Sequence, residues 1–153
     1  MKSEESIRLT PIGRGTVLDH LPVGSALKIV RILGLDPVAG AITIAINTES
    51  KRTGHKDLLF IENRELSENE IEKIALIANG GTWNTVRDRH VVTKKTIERP
   101  SEVRGILECP NSNCIASRER LAGRFRIAPD SLSATCGYCE RTISGNDIHR
   151  QIR

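Results

Sequence analysis

The chain has 153 residues, enough for one ordinary domain or two small ones. Apolar residues make up 38% but aromatics only 3%, so Ile, Leu, Val and Ala must supply the packing. Charged residues reach 27%, no apolar run approaches the roughly 18 residues of a membrane helix, and the first twenty residues lack a basic-then-apolar leader. A helical membrane protein is excluded and a cytoplasmic one is predicted.

Net charge is +4, and neither end is a polybasic tail. Split at Pro100, the first part holds 15 basic and 13 acidic groups and the second eight and six. Arg outnumbers Lys 16 to 7, which favours forked contacts to carboxylates or phosphates over bare point charges.

In chain order, Ile7 to Leu21 reads as an extended segment punctuated by Gly13 and Gly15. After Pro22, Ala26, Ile29, Val30 and Leu33 recur at helical spacing, with Lys28 and Arg31 on the other side and Gly34 as the stop. Ala41 to Asn47 reads as a strand with Ile42, Ile44 and Ile46 on one face. A polar connection, TESKRTGHK, then leads to a strand from Asp57 to Ile61. Ser67 and Glu70 form a capping box for a helix whose buried stripe is Ile71, Ile74, Ala75 and Ala78, ending at Asn79-Gly80-Gly81. Thr82 to Val86 and His90 to Lys95 follow as a hairpin around Arg87-Asp88-Arg89. This order predicts an α+β fold: a ferredoxin-like antiparallel sheet with two helices on one face and an open opposite face. Ile97 to Arg104, centred on Pro100, is the best boundary, giving domains 1–99 and 100–153. The second is predicted to be small and all-β, with strands at Val103 to Leu107, Gly123 to Ile127 and Arg141 to Ser144.

All four cysteines fall in that second part, as CPNSNC and CGYC, with 21 residues between Cys114 and Cys136. In a chain without a secretion signal, Cys109, Cys114, Cys136 and Cys139 at this paired spacing point to one tetrahedral zinc ion rather than two disulfides. Four protein ligands leave no place for a reactive water, so the metal is structural. Few apolar residues support this tail, so zinc must supply most of its folding free energy, roughly 10 to 16 kcal/mol in small zinc peptides. Loading also lowers the net charge to about +2, which weakens a nucleic-acid reading. Arg118, Arg120, Arg124 and Arg126 could form a contact surface or a plain solvated face.

The first hundred residues contain no nucleophile motif, phosphate-binding glycine loop or dinucleotide fingerprint, which argues against catalysis. Asp19, His20, Lys56 and Lys94 invite a ligand reading, since carboxylates accept from ribose hydroxyls and lysines neutralise phosphates, but the sequence does not bring them together, and each alone reads equally as a solvated or salt-bridged side chain.

RGTVLDHLP at Arg14 to Pro22, KDLLFIEN at Lys56 to Asn63, and the ECPNSNC and CGYCE knuckles carry a resemblance to the aspartate carbamoyltransferase regulatory chains over nearly the whole length. The resemblance implies a non-catalytic subunit whose N-terminal domain binds nucleotide effectors, CTP and ATP, with UTP a further candidate. Its zinc domain would dock onto the catalytic chain. Regulatory chains would pair, three such dimers bridging two catalytic trimers in a dodecamer, without nucleic acid or membrane. Carried over by motif position, effector contacts fall on Leu9, Pro11, Ile12, Asp19, His20, Lys56, Asn84, Val86, Val91 and Lys94, and zinc ligation on the four cysteines. In the family's pattern the aspartate holds ribose, the late lysine meets ribose and phosphate, and backbone near residues 12 and 86 reads the base. Phe60 stands where the enterobacterial pattern has a lysine, Thr10 where it has an acid and Arg89 where it has a tyrosine, so the resemblance carries the phosphate-binding half of the pocket further than base selection and does not fix effector preference or sign. The alternative is a zinc-ribbon nucleic-acid binder, which would show a steep salt dependence.

Overall fold

The computed structural model describes residues 13–35, 40–51 and 54–153. The first unit runs β1 (Gly15–Leu21), α1 (Ser25–Leu33), β2 (Ile42–Ser50), β3 (Gly54–Glu62), α2 (Glu68–Ala75), β4 (Thr82–Arg87) and β5 (His90–Thr96). Its sheet is antiparallel throughout, in the order β2-β3-β1-β4-β5. That is the ferredoxin-like arrangement, extended by β5 as an extra edge strand. Leu18, Leu59, Ile61 and Trp83 point from the sheet onto Ile29, Leu33, Ile71 and Ile74 of the two helices. Period-two alternation leaves Val17, Lys56, Phe60 and Asn84 on the opposite face.

The capping box at Ser67 forms as expected: its hydroxyl accepts from the Glu70 amide (3.2 Å) and the Glu70 carboxylate from the Ser67 amide (3.1 Å). The regular helix stops at Ala75, three residues before Ala78, although Ala78 is buried in the same core. The chain turns there so that Leu76 and Ile77 can pack into the second unit. In the β4–β5 hairpin, Asp88 and Arg89 both adopt positive φ (50° and 67°), the conformation a two-residue turn needs to match strand twist.

Two strand expectations are corrected. The polar segment Thr48 to Lys56 is paired at both ends rather than being a nine-residue loop. Pairing continues through Thr48↔Lys56, Glu49↔His55 and Ser50↔Gly54, because backbone ladder bonds extend past the apolar alternation that marked the strand ends. Ile46 does not share a face with Ile42 and Ile44 in the core. A bulge between Ala45 and Thr48, with Asn47 at φ 59°, turns Ile46 outward to 46% exposure. The extended segment expected from Ile7 begins at Gly15 in the described part; residues 7–12 lie outside the described residues.

α1 has a glycine N-cap with no side-chain capping bond of its own. Its orphan amides are satisfied from the neighbouring strand. The fully buried Asp57 of β3 accepts from the amides of Gly24 (2.9 Å) and Ala26 (3.1 Å) through Oδ2, and from Asn47 at the β2 bulge (3.0 Å) through Oδ1.

The second unit contains β6 (Glu102–Arg104), α3 (Ile115–Arg118), β7 (Arg124–Ile127), β8 (Ser133–Cys136), β9 (Thr142–Ser144) and α4 (Asn146–Gln151). β6 to β9 form one four-stranded sheet, in keeping with the small β domain expected, and two short helices are added to it. Val103, Ile106, Leu107, Phe125, Ile127 and Ile148 form its core, into which Leu76, Ile32 and Ile77 of the first unit also pack. The chain end closes back: the Arg153 amide donates to Ile106 (2.7 Å) and the Glu108 amide to Gln151 (3.0 Å). No helix among the described residues is long and apolar enough to cross a membrane.

Asp57→Ala would strand three backbone donors, each buried unsatisfied group costing about 1 to 3 kcal/mol, so a loss of about 3 kcal/mol is expected in urea unfolding of the zinc-loaded chain. Asp57→Asn keeps an acceptor oxygen and should recover part of that loss. Equal, near-zero effects of both would contradict the capping role.

Candidate metal centre and effector face

The four cysteine sulfurs lie within 4.8 Å of one another. Cys136 is delivered by the end of β8 and Cys139 by the turn after it, while Cys114 begins α3 and Cys109 follows the short bridge at Leu107. Sγ separations are 3.6 Å for Cys109–Cys139 and 3.8 Å for Cys114–Cys136. A tetrahedron of thiolates at about 2.3 Å from zinc has an edge of about 3.8 Å, so the cage already has the right size. The Tyr138 amide donates to Cys136 Sγ (3.4 Å). The Gly137 amide donates to the Arg124 carbonyl (2.6 Å), and a Cβ at Gly137 would crowd that same oxygen at 3.2 Å.

Burial pushes the Cys109 thiol up to about 12, whereas the Arg141 amide draws Cys139 down to about 7. A soft, closed, four-sulfur donor set suits a structural zinc ion, held by Cys109, Cys114, Cys136 and Cys139. Because the metal must displace protons from thiols, apparent zinc affinity should fall steadily as pH is lowered from about 8 to about 6 in a chelator competition. A flat profile would contradict ligation by all four thiolates. Cys136→Ser should abolish amide-exchange protection of β6 to β9 while sparing β1 to β5.

On the open face of the first sheet, Lys56 Nζ pairs with Asp19 Oδ1 at 2.9 Å. His20 has φ 55°, and its Nδ1 lies 3.4 Å from Thr82 Oγ1 and 3.8 Å from Asp19 Oδ2. Asn84 donates to the Val17 carbonyl (3.3 Å) and stands opposite Lys94 in the β4–β5 register. One step along, Lys95 opposes Trp83 and lies over its ring (5.3 Å), on the helix-covered face, so Lys94 projects from the open one. Lys94 is exposed and makes no ion pair among the described residues. Val86 is buried and paired with the exposed Val91.

The structure thus brings Asp19, His20, Lys56 and Asn84 together, and places Lys94 next to them across the β4–β5 ladder. Leu9, Pro11, Ile12 and Thr10 lie outside the described residues. Phe60 pairs with Val17 on the same open face. Arg89 instead lines a separate cleft of about 720 Å³ at the sheet end, with Gly13, Arg14, Glu62 and Arg87. Sequence reasoning passed over Val17, Leu58 and Thr82, which share the face; alternation from Lys56 and Asn84 was the available signal. Of the arginines singled out in the tail, Arg124 and Arg126 share the exposed side of β7, and Arg124 lies over the Tyr138 ring (6.0 Å) and 3.8 Å from Glu102.

Fold and site define a ferredoxin-like domain with an open, charged sheet face, joined to a structural four-thiolate metal module. Residues 7–98 match the allosteric domain of the aspartate carbamoyltransferase regulatory chain, and residues 101–149 match its metal binding domain. The chain is 43% identical over 150 residues to the aspartate carbamoyltransferase regulatory chain of Thermococcus kodakarensis, covering 97% of this chain and 99% of that one. It is 46% identical over 144 residues to the Thermococcus gammatolerans chain of the same name, covering 93% and 95%. It is 43% identical over 154 residues to that of Methanothermobacter thermautotrophicus, covering 99% of each. The chain belongs to the aspartate carbamoyltransferase regulatory chains, the non-catalytic, allosteric subunits of an enzyme of pyrimidine biosynthesis. That assignment favours the regulatory reading over the nucleic-acid-binding zinc ribbon.

Proposed function

We propose that the open sheet face is the nucleotide effector site, with Asp19, His20, Lys56, Asn84, Val86, Val91 and Lys94 as its contacts and Leu9, Pro11 and Ile12 completing it. The Asp19–Lys56 pair carries this reading, because it sets a ribose acceptor and a phosphate counter-charge 2.9 Å apart. A triphosphate would compete with Asp19 for Lys56 and leave the carboxylate free for ribose hydroxyls. Lys94 would supply the second phosphate contact. With Phe60 on this face where a lysine is usual, phosphate and ribose contacts should be retained more faithfully than base selection.

The division into an effector domain, 1–99, and a zinc domain, 100–153, fits the two separate sheets, with Ile32, Leu76 and Ile77 as the joint between them. The zinc domain would seat on the catalytic chain, and β2, an edge strand with Ile46 exposed, is suited to pairing between effector domains. Two catalytic trimers and three regulatory dimers would make the cytoplasmic complex. Effectors can act only through unequal affinity for its quaternary states, at about 1 to 3 kcal/mol of coupling.

In the complex reconstituted with the catalytic chain, CTP and ATP should shift the aspartate half-saturation point. Flat curves at demonstrated occupancy would contradict the regulatory site. Lys94→Ala should weaken nucleotide binding about tenfold by calorimetry, the scale of a lost hydrogen bond to a charged group. Unchanged affinity at matched salt would remove Lys94 from the site.

A further inference from the structure

The joint between the two units is lined by cations on both sides. A groove of about 540 Å³ runs between α1 and the chain end, with Lys28 and Arg31 on one wall and His149, Arg150 and Arg153 on the other. Ile32 and Ile152 also line it. Lys28 Nζ lies 3.5 Å from His149 Nδ1, a hydrogen bond that the neutral imidazole accepts from the ammonium. Arg150 is matched by Asp147 (3.1 Å) and Arg153 by Glu108 (3.2 Å). Among the described residues, neither Lys28 nor Arg31 makes an ion pair with a carboxylate. His149 Nε2 is buried, and the Leu76 backbone lies against the imidazole.

We infer that this groove is a second anion site, separate from the effector face, which takes a polyphosphate-class anion between Lys28 and Arg31 of α1 and Arg150 and Arg153 at the chain end. Lys28, Arg31, Arg150 and Arg153 line one partly enclosed groove, where their charges repel, and a multivalent oxyanion between them turns that repulsion into attraction. Arginine forks suit its non-bridging oxygens, and lysine supplies a further point charge. Free inorganic polyphosphate and the phosphate tail of a nucleotide share this chemistry. Bound there, the anion would strap α1, which belongs to the sheet domain, to α4, which belongs to the metal domain. Burial, and then the Lys28 charge, hold the His149 imidazole below its ordinary value, with the Leu76 backbone acting in the opposite sense. An adjacent anion should reverse that, which makes His149 a local reporter.

The chain contains four histidines, of which His20 lies on the effector face and His149 at the joint. In the full-length, zinc-loaded chain, inorganic tripolyphosphate should shift the His149 imidazole NMR signal saturably and raise its titration midpoint. Lys28→Gln with Arg31→Gln, and separately Arg150→Gln with Arg153→Gln, should weaken that response at least tenfold while leaving the His20 response intact. CTP in a Lys94→Ala background shows whether a nucleotide tail enters the groove: a His149 shift assigns it to the site's ligands, and no shift restricts the site to inorganic polyphosphate. The proposal is overturned if His149 does not respond to tripolyphosphate. It is equally overturned if sulfate at matched ionic strength gives the same response, if Lys94→Ala abolishes the tripolyphosphate response, or if only the catalytic chain perturbs His149, which would make the groove a protein contact.

Discussion

One buried carboxylate sets the geometry of the effector half of the molecule. Among the described residues Asp57 forms no ion pair, and its oxygens are taken by three backbone amides: two from the start of α1 and one from the β2 bulge. α1 begins on a glycine that cannot cap it, so the helix depends on a strand residue distant in sequence for its N-terminal amides. The same bonds fix where β2 kinks and which of its isoleucines reach the core. Lys56, the neighbour of Asp57 in β3, points to the opposite face and pairs with Asp19. A shift of β3 that moved Lys56 would therefore carry the support of α1 with it.

α1 is also the element that meets the metal domain. Its inner face, Ala26, Ile29 and Leu33, packs on the sheet, while Ile32 joins Leu76 and Ile77 in the core of the second unit. The metal cage makes that second core possible. β6 and β9 are three residues long, and β7 and β8 four, too short to hold together by ladder bonds alone. Cys114 and Cys136 are buried within the apolar cluster, so the cage and the core are one structure. Zinc therefore stabilises the surface on which the sheet domain rests as well as the knuckles that carry the thiolates.

Much of this was legible in the sequence. Helical spacing marked α1, the Ser67–Glu70 pair marked the start of α2, and the order of elements implied the ferredoxin-like sheet. Cysteine spacing identified the cage because metal geometry acts locally. The bulge at Asn47 was not legible, since alternation through Ile46 looks the same with or without an inserted residue. Nor was the pairing of Thr48 to Lys56, which rests on backbone bonds that leave no side-chain pattern. Asp57 looked like a strand terminus because its partners are backbone groups far away in sequence. Lys28 and Arg31 looked like a solvated helix face until α4 was placed opposite them. Motif position named Asp19, Lys56, Asn84 and Lys94, but only strand register shows that they share one face.

The central claim is that occupancy of the sheet face reaches the metal domain through β3 and α1. Amide hydrogen exchange on the complex reconstituted with catalytic trimers, with and without saturating CTP, tests it most directly. The account predicts altered protection at Gly24–Leu33 and at Asn146–Gln151, in addition to the strands of the proposed effector face. Changes confined to β1, β3, β4 and β5, with α1 and α4 unaltered at full occupancy, would contradict it.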